Sequence, residues 1–521
     1  MTHPPTNDDA TPRRDRWFRT DDLVKGIGKR SARGGVYTFA TTGLNLAVTT
    51  AATILVTRQL TQEDFGLYGM VIVLTGFARL FADLGLSRAV VQRPHVTHAQ
   101  VSTLFWINLG VATAIAALVA AATPLVVAFY NEPRLAPINL AMAGLFVVNG
   151  LGRQHRALLE RRMEFGRINL VTASLTPIGA IAGVVVALLG GGYWALAAIP
   201  AASAIAAAAG MWLACDWRPG PPRRHTGVRS MLAFGGHVTG VQVINYFARN
   251  ADNAMLGFAW GAGPLGLYTR AYSLMMLPIT KVNSPLLGVV IPALAKLTNE
   301  PESYRRYYTR ALGLVTATLT PAIVLILILI DDIVPLALGN QWITIVPIFY
   351  ALGPACLMGV SNSATGWLYL SCGHVHRQTR WAFIHISIST IAMTAGVQFG
   401  AIGMAIAVSC VYVLLKPFAI LWAVKSTPVP FGLAARTIYM PLVAATVAIT
   451  ATLLALSLVA SSYESHLRLA LKLGCFAAVY IVWFALTPWG QRDVGNVMSV
   501  LSHLTRGNRE APLSSEPQQE K

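Results

Sequence analysis

The segment Ala311–Ile330 (ALGLVTATLTPAIVLILILI) runs for 20 residues without a charged side chain. A helix rising 1.5 Å per residue covers about 30 Å in that length, the thickness of a bilayer's hydrocarbon core. Similar apolar blocks recur near 35–57, 66–87, 100–123, 135–152, 168–190, 193–214 and 231–258. They continue near 264–292, 343–370, 382–399, 401–423, 438–460 and 468–487. Charged residues make up 12% of the 521 and hydrophobic ones 55%, whereas a soluble domain carries about a quarter charged. The pattern predicts an all-α integral membrane protein of about 14 transmembrane helices.

Charge provides an independent test of that count. With the N-terminus placed in the cytoplasm, 31 of the 40 Lys and Arg fall in inner loops and tails, among them Arg153, Arg156, Arg161, Arg162, Arg218, Arg223 and Arg224. Four stand on the outer side, Arg58 and Arg134 in outer loops and Arg468 and Lys472 at the outer end of the last span, and five remain deeper inside spans. A missed helix would invert every later loop, so the alternation supports an even count with both termini cytoplasmic. It also explains the net charge of +18 without nucleic acid, for which no binding motif is present. Residues 1–33 lack the apolar run of a signal peptide and read as a basic cytoplasmic tail. Residues 491–521 read as a polar cytoplasmic tail. No connection is long enough to build an extramembrane catalytic domain. The five cysteines lack metal-ligand spacing, and His374 and His376 read as parts of a solvated basic loop. Tyr130, Trp194 and Trp342 read as interfacial anchors.

A shift of 200 residues pairs Gly35, Asn45 and Ala51 with Gly235, Asn245 and Ala251, and Gly66-Leu67-Tyr68 with Gly266-Leu267-Tyr268. The copies are six spans apart and share an orientation. This predicts two six-helix bundles, 34–230 and 231–425, in a parallel pseudo-two-fold repeat, followed by two C-terminal helices in 426–490. A cavity for alternating access is expected between the bundles.

Ionisable side chains inside spans are costly and mark either ion pairs or a wet path. Arg79 and Asp83 are four apart and Arg249 and Asp252 three apart, so each pair shares a helix face. With Arg270 and Lys281 the set carries surplus positive charge, which suits an anionic headgroup; guanidinium matches phosphate oxygens bidentately. Arg79, Arg249, Arg270 and Lys281 are therefore the candidate substrate contacts. Asp83 and Asp252 are candidates for ion pairing or for a coupling proton or sodium; no other cofactor and no metal is expected. Lys416, beside Pro417, reads as snorkelling to the inner interface. Pro278, Pro285 and Pro292 recur every seven residues on one helix face and read either as a conformational hinge or as a static kink.

Several stretches resemble the polysaccharide-transport flippases of the multidrug/oligosaccharidyl-lipid/polysaccharide exporter superfamily. They include Glu63-Asp64-Phe65-Gly66-Leu67-Tyr68, Leu84 through Arg93, Arg249 through Asn253, and Leu265 through Tyr272. Gln341-Trp342, Gly366 through Tyr369 and Gly400 through Ala405 extend the likeness over about 60–410. It is greatest to the branch serving exopolysaccharide, colanic-acid-type and teichuronic-acid-type export. The resemblance implies a two-bundle transporter, not an enzyme, in a bacterial inner membrane. It would move undecaprenyl-pyrophosphate-linked oligosaccharide outward, serving a polysaccharide polymerase and a chain-length regulator. Arg249, Asp252 and Arg270 match family positions; Arg79 and Lys281 rest on the charge argument. A cation-coupled drug antiporter of the same superfamily and a membrane polymerase or ligase remain as alternatives. The first would favour surplus carboxylate in the cavity, and the second a sizeable periplasmic loop.

Overall fold

The computed structural model describes residues 47–82, 96–223, 250–425, 427–459 and 465–486, with Trp17, Asn45, Val90, Val91 and Tyr246 beside them. The described residues form helices and turns with no strand. The helices are α1 (47–59), α2 (Gln62–Phe81), α3 (His98–Ala121), α4 (Thr123–Tyr130), α5 (Leu135–Arg161), α6 (Phe165–Leu188) and α7 (Trp194–Ala214). They continue as α8 (250–260), α9 (Ala262–Lys296), α10 (Pro301–Ile333), α11 (Val346–Gly359), α12 (Asn362–Ser371), α13 (Val375–Gly396), α14 (Gly400–Val424), α15 (Phe431–Val459) and α16 (Ser465–Leu486). Nine helical stretches among the described residues are long and apolar enough to cross a membrane, and one of them, Val375–Val424, contains both α13 and α14. The expected spans near 35–57 and 231–258 lie partly outside the described residues, as do the expected boundary at 230 and most of both tails.

Local chemistry sets the ends. Thr61 accepts the Asp64 backbone N–H while the Asp64 carboxylate accepts the Thr61 N–H at 2.8 Å, a reciprocal cap that starts α2. Thr97 and Gln100 start α3 in the same way. Side chains such as Leu125 (73% exposed) and Leu213 (82% exposed) then stand outward from the helices. Water would not favour that placement, but lipid does.

The chain divides into two units: 1–270 with 335–345 and 393–404, and 271–334 with 346–392 and 405–521. In the first, small residues draw helices together. A β-carbon on Gly179 would sit 1.9 Å from the Ser203 hydroxyl of α7, and one on Gly152 3.2 Å from Ala208. Phe105, Leu158, Met211 and Trp217 fill the core between α3, α5 and α7. At the turn before α5, Arg134 bonds Glu132 at 2.8 Å and Glu63 at 3.1 Å. Its hydrogen bonds hold the Glu132 carboxyl below the usual carboxylate range.

In the second unit α15 and α16 pack on α10 through Val324, Ala444, Ala448, Phe476 and Tyr480. The Thr316 hydroxyl donates to the Thr437 carbonyl at 3.1 Å and the Tyr480 hydroxyl to the Ala317 carbonyl at 3.3 Å. The span expected as one helix over 343–370 is interrupted. α11 ends at Gly359 and α12 begins at Asn362. Between them the Ser361 hydroxyl donates to the Met358 carbonyl at 3.2 Å. Glycine followed closely by Ser and Asn is poor helix interior, because these side chains compete for the backbone.

Candidate functional site

The chain leaves α1 at Leu60, and the last carbonyls of the helix are left without intrahelical donors. The next N–H, that of Thr61, is already taken by Asp64. The carbonyls of α1 find their donors in the segment 335–345. The Trp342 indole N–H donates to the Thr57 carbonyl at 2.9 Å, and the Gln341 side-chain amide to the Arg58 carbonyl at 2.9 Å. The capping is mutual, because the Arg58 guanidinium donates to the carbonyls of Leu336 and Ala337. Gln62 adds bonds to the Gln341 carbonyl at 2.8 Å and to the Thr344 hydroxyl at 3.2 Å. Trp342 is thus fully buried and structural, which corrects its reading as an interfacial anchor. Its N–H serves a helix end where an anchor's would face headgroups.

Arg270 is set into this arrangement. It stands one turn beyond Gly266 on α9 and is 8% exposed. It donates to the Thr57 hydroxyl and, at 3.4 Å, to the Thr53 carbonyl of α1. Its guanidinium carbon lies 5.0 Å from the Phe65 ring centroid, and Phe65 in turn meets Trp342 edge-on at 5.3 Å. A guanidinium over an aromatic face gains electrostatic attraction that strengthens as water is excluded.

Asp252 on α8 is also buried, at 6% exposure. It accepts from the Tyr268 hydroxyl and from the Asn253 N–H, both at 2.8 Å. Arg249 and Asp83 lie outside the described residues. Arg79 on α2 and Lys281 on α9 are exposed. Pro278, Pro285 and Pro292 all lie within the continuous helix Ala262–Lys296. Arg270, Thr57 and the aromatic pair therefore come together, while Arg79 and Lys281 stand on exposed helix surface.

Lys416 departs from its expected place. It is 3% exposed and bonds the Asn362 side-chain oxygen at 2.8 Å, at the interruption between α11 and α12. Eight residues separate it from the end of α14, roughly 12 Å along a helix, too far for a lysine to reach the interface. A half-helix terminus beside a buried cation recurs at ion and substrate sites in transporters. Gly359-Val360-Ser361-Asn362 was the signal that sequence reasoning passed over, because the surrounding apolar block masked it. His385 on α13 lies close by, its ring 5.4 Å from that of Tyr412, one turn before Lys416. Among the described residues no three His, Cys, Asp or Glu side chains gather as a metal site.

The profile of the polysaccharide biosynthesis protein family matches residues 55–347. The lipopolysaccharide biosynthesis protein WzxC of Escherichia coli K12 is 27% identical over 357 residues, covering 67% of this chain and 71% of that protein. The succinoglycan biosynthesis transport protein ExoT of Rhizobium meliloti is 25% identical over 348 residues, covering 66% of this chain and 69% of its own. Among solved structures, the lipid II flippase MurJ in an inward closed conformation aligns with a TM-score of 0.66 at 14% identity, over 86% of this chain and 97% of MurJ. That likeness concerns the fold, a multi-pass bundle of membrane helices. On the extent of the family match, the chain belongs to the polysaccharide biosynthesis protein family.

Proposed function

We propose that this protein translocates lipid-linked oligosaccharide repeat units, carried on undecaprenyl pyrophosphate, across a bacterial inner membrane by alternating access. The observation that carries the reading is the family match over 55–347, which falls on the membrane helices themselves. The names of WzxC and ExoT place those proteins in polysaccharide biosynthesis and its transport. The helices share a fold with a lipid flippase. The pyrophosphate is met by cationic side chains, for which Arg79, Arg249, Arg270 and Lys281 are the candidates. The polyprenyl chain stays in lipid.

Both termini lie in the cytoplasm, in keeping with the distribution of Lys and Arg between loops. The cycle draws its energy from a proton or sodium gradient, with Asp83 or Asp252 as candidate carriers, or from downstream consumption of the delivered product. A polysaccharide polymerase and a chain-length regulator use the delivered units. The test is a deletion strain. It should accumulate lipid-linked repeat units facing the cytoplasm, and reintroducing the gene should clear them. Normal surface polysaccharide in a strain without a second copy of this function would overturn the assignment.

A further inference from the structure

We propose that the interruption between α11 and α12, backed by Lys416, is a binding site for a phosphate oxyanion. On the transport reading, on which the identity of its source rests, that oxyanion is a phosphate of the lipid-linked substrate.

Lys416 lacks a counter-ion. Between Asp332 and Glu464 the sequence holds no Asp or Glu, so α11 to α15 supply no carboxylate. α9 holds none either, and on α10 the acids stand near the two ends, at Glu302, Asp331 and Asp332. The Lys416 ammonium is 3% exposed, and its one hydrogen bond among the described residues is to the neutral side chain of Asn362 at 2.8 Å. An ammonium carries three N–H donors, and a buried charge with no opposite charge beside it is costly.

The surroundings add positive charge. α12 begins at Asn362, and its first N–H groups form the positive end of the helix dipole. Ser361 stands where a capping hydroxyl would accept from them. It donates instead to the Met358 carbonyl at 3.2 Å, and the helix has no side-chain cap. Because the Asn362 oxygen accepts from the lysine, its NH2 group remains as a further donor. Ammonium, amide and helix end are thus a set of donors without an anion. A tetrahedral oxyanion, with several oxygens to share among them, satisfies such a set.

The place is reachable. Nine residues separate Asn362 from the end of α12, about 14 Å along a helix. This agrees with the depth of Lys416 within α14, yet Asn362 is exposed. At membrane depth an exposed carboxamide and a broken helix are tolerated where they line water, not lipid. A phosphate arriving from that water meets Asn362 first, with Lys416 behind it.

The test measures binding to the full-length chain in detergent, by native mass spectrometry and by thermal unfolding. The probes are inorganic pyrophosphate, undecaprenyl phosphate, and undecaprenol, which has the same tail and no phosphate. The unaltered protein should bind undecaprenyl phosphate far more tightly than undecaprenol. Lys416→Met should weaken that binding by about tenfold or more. Asn362→Asp places the missing carboxylate within the chain. It should unfold at a higher temperature in phosphate-free buffer and lose the probe, and it decides the matter if Lys416→Met does not fold. A response to pyrophosphate marks a site open to free phosphate, and a response to the lipid alone marks a lipid headgroup; either sustains the site. It is overturned by no response to either phosphate probe, by equal binding of undecaprenol, or by unchanged binding in the folded variants. No flipping is measured, so a failed flipping assay would count against the transport reading and leave this result standing.

Discussion

The Lys416 ammonium rests 2.8 Å from the Asn362 side-chain oxygen, at the point where a membrane helix is interrupted. Truncating one partner of a buried charged bond strands the other, whereas replacing the charge by an apolar side chain of similar volume removes the need for a partner. Asn362→Leu should therefore lower stability by about 1.5–3 kcal/mol, and Lys416→Met should cost less. Adding Lys416→Met to Asn362→Leu should recover part of the loss. Thermal unfolding in detergent followed by tryptophan fluorescence measures all three; equal losses from the two single changes would refute the argument.

Gly66 on α2 and Gly266 on α9 meet at one helix crossing, so a methyl group at either site should act alike. Gly66→Ala and Gly266→Ala should slow flipping in proteoliposomes to a similar degree. The double variant should fall short of the product of the two effects, as expected for residues that share a contact. Independent, multiplicative effects would place the two glycines in separate roles.

Exposed and buried cations should fail differently. Arg79 and Lys281 stand on exposed helix surface and can meet a headgroup before any rearrangement. Replacing both by Gln should raise the substrate concentration needed for half-maximal flipping by about tenfold with little change in maximal rate. Arg270 is buried against Thr57 and Phe65, so Arg270→Met should lower the maximal rate. Initial-rate flipping assays over a range of substrate concentration separate the two, and the reverse assignment would contradict the reading.

Pro285 lies within α9, where it withholds an N–H from the carbonyl four residues earlier. If the missing bond permits bending, Pro285→Ala should slow transport more than it reduces the yield of folded protein. Flipping rate and gel-filtration yield, compared on the same preparation, give the answer. An unchanged rate leaves a static kink.

The Glu132 carboxyl is held below its ordinary range by Arg134. A depressed folded-state value stabilises the protein above the unfolded value, about 4.3, and the stabilisation disappears as pH falls through the folded one. The turn before α5 should therefore loosen in acid, and Arg134→Ala should flatten that part of the pH profile. Hydrogen exchange of residues 131–136 as a function of pH would reveal it. A profile identical in the variant would rule the pair out.

The membrane class, the helices and most span limits were legible in the sequence. A 20-residue apolar block admits few structures in lipid, where every backbone group must be satisfied within the segment. Identities at a fixed shift of 200 residues were legible too, and the glycine pair was among them. Partnership was not legible. Arg270 and Thr57 are 213 positions apart, and no local pattern announces that one helix's orphan carbonyls will be capped by a tryptophan 285 residues later.

Lys416 shows the same division. Its place two turns inside α14 follows from sequence and helical rise, but its burial beside Asn362 depends on where another helix breaks. Periodicity and hydropathy are local quantities, so the sequence by itself determined that this is a helical membrane protein. Which buried polar groups meet, and which helices close upon each other, are long-range matters, and only the tertiary structure decided them.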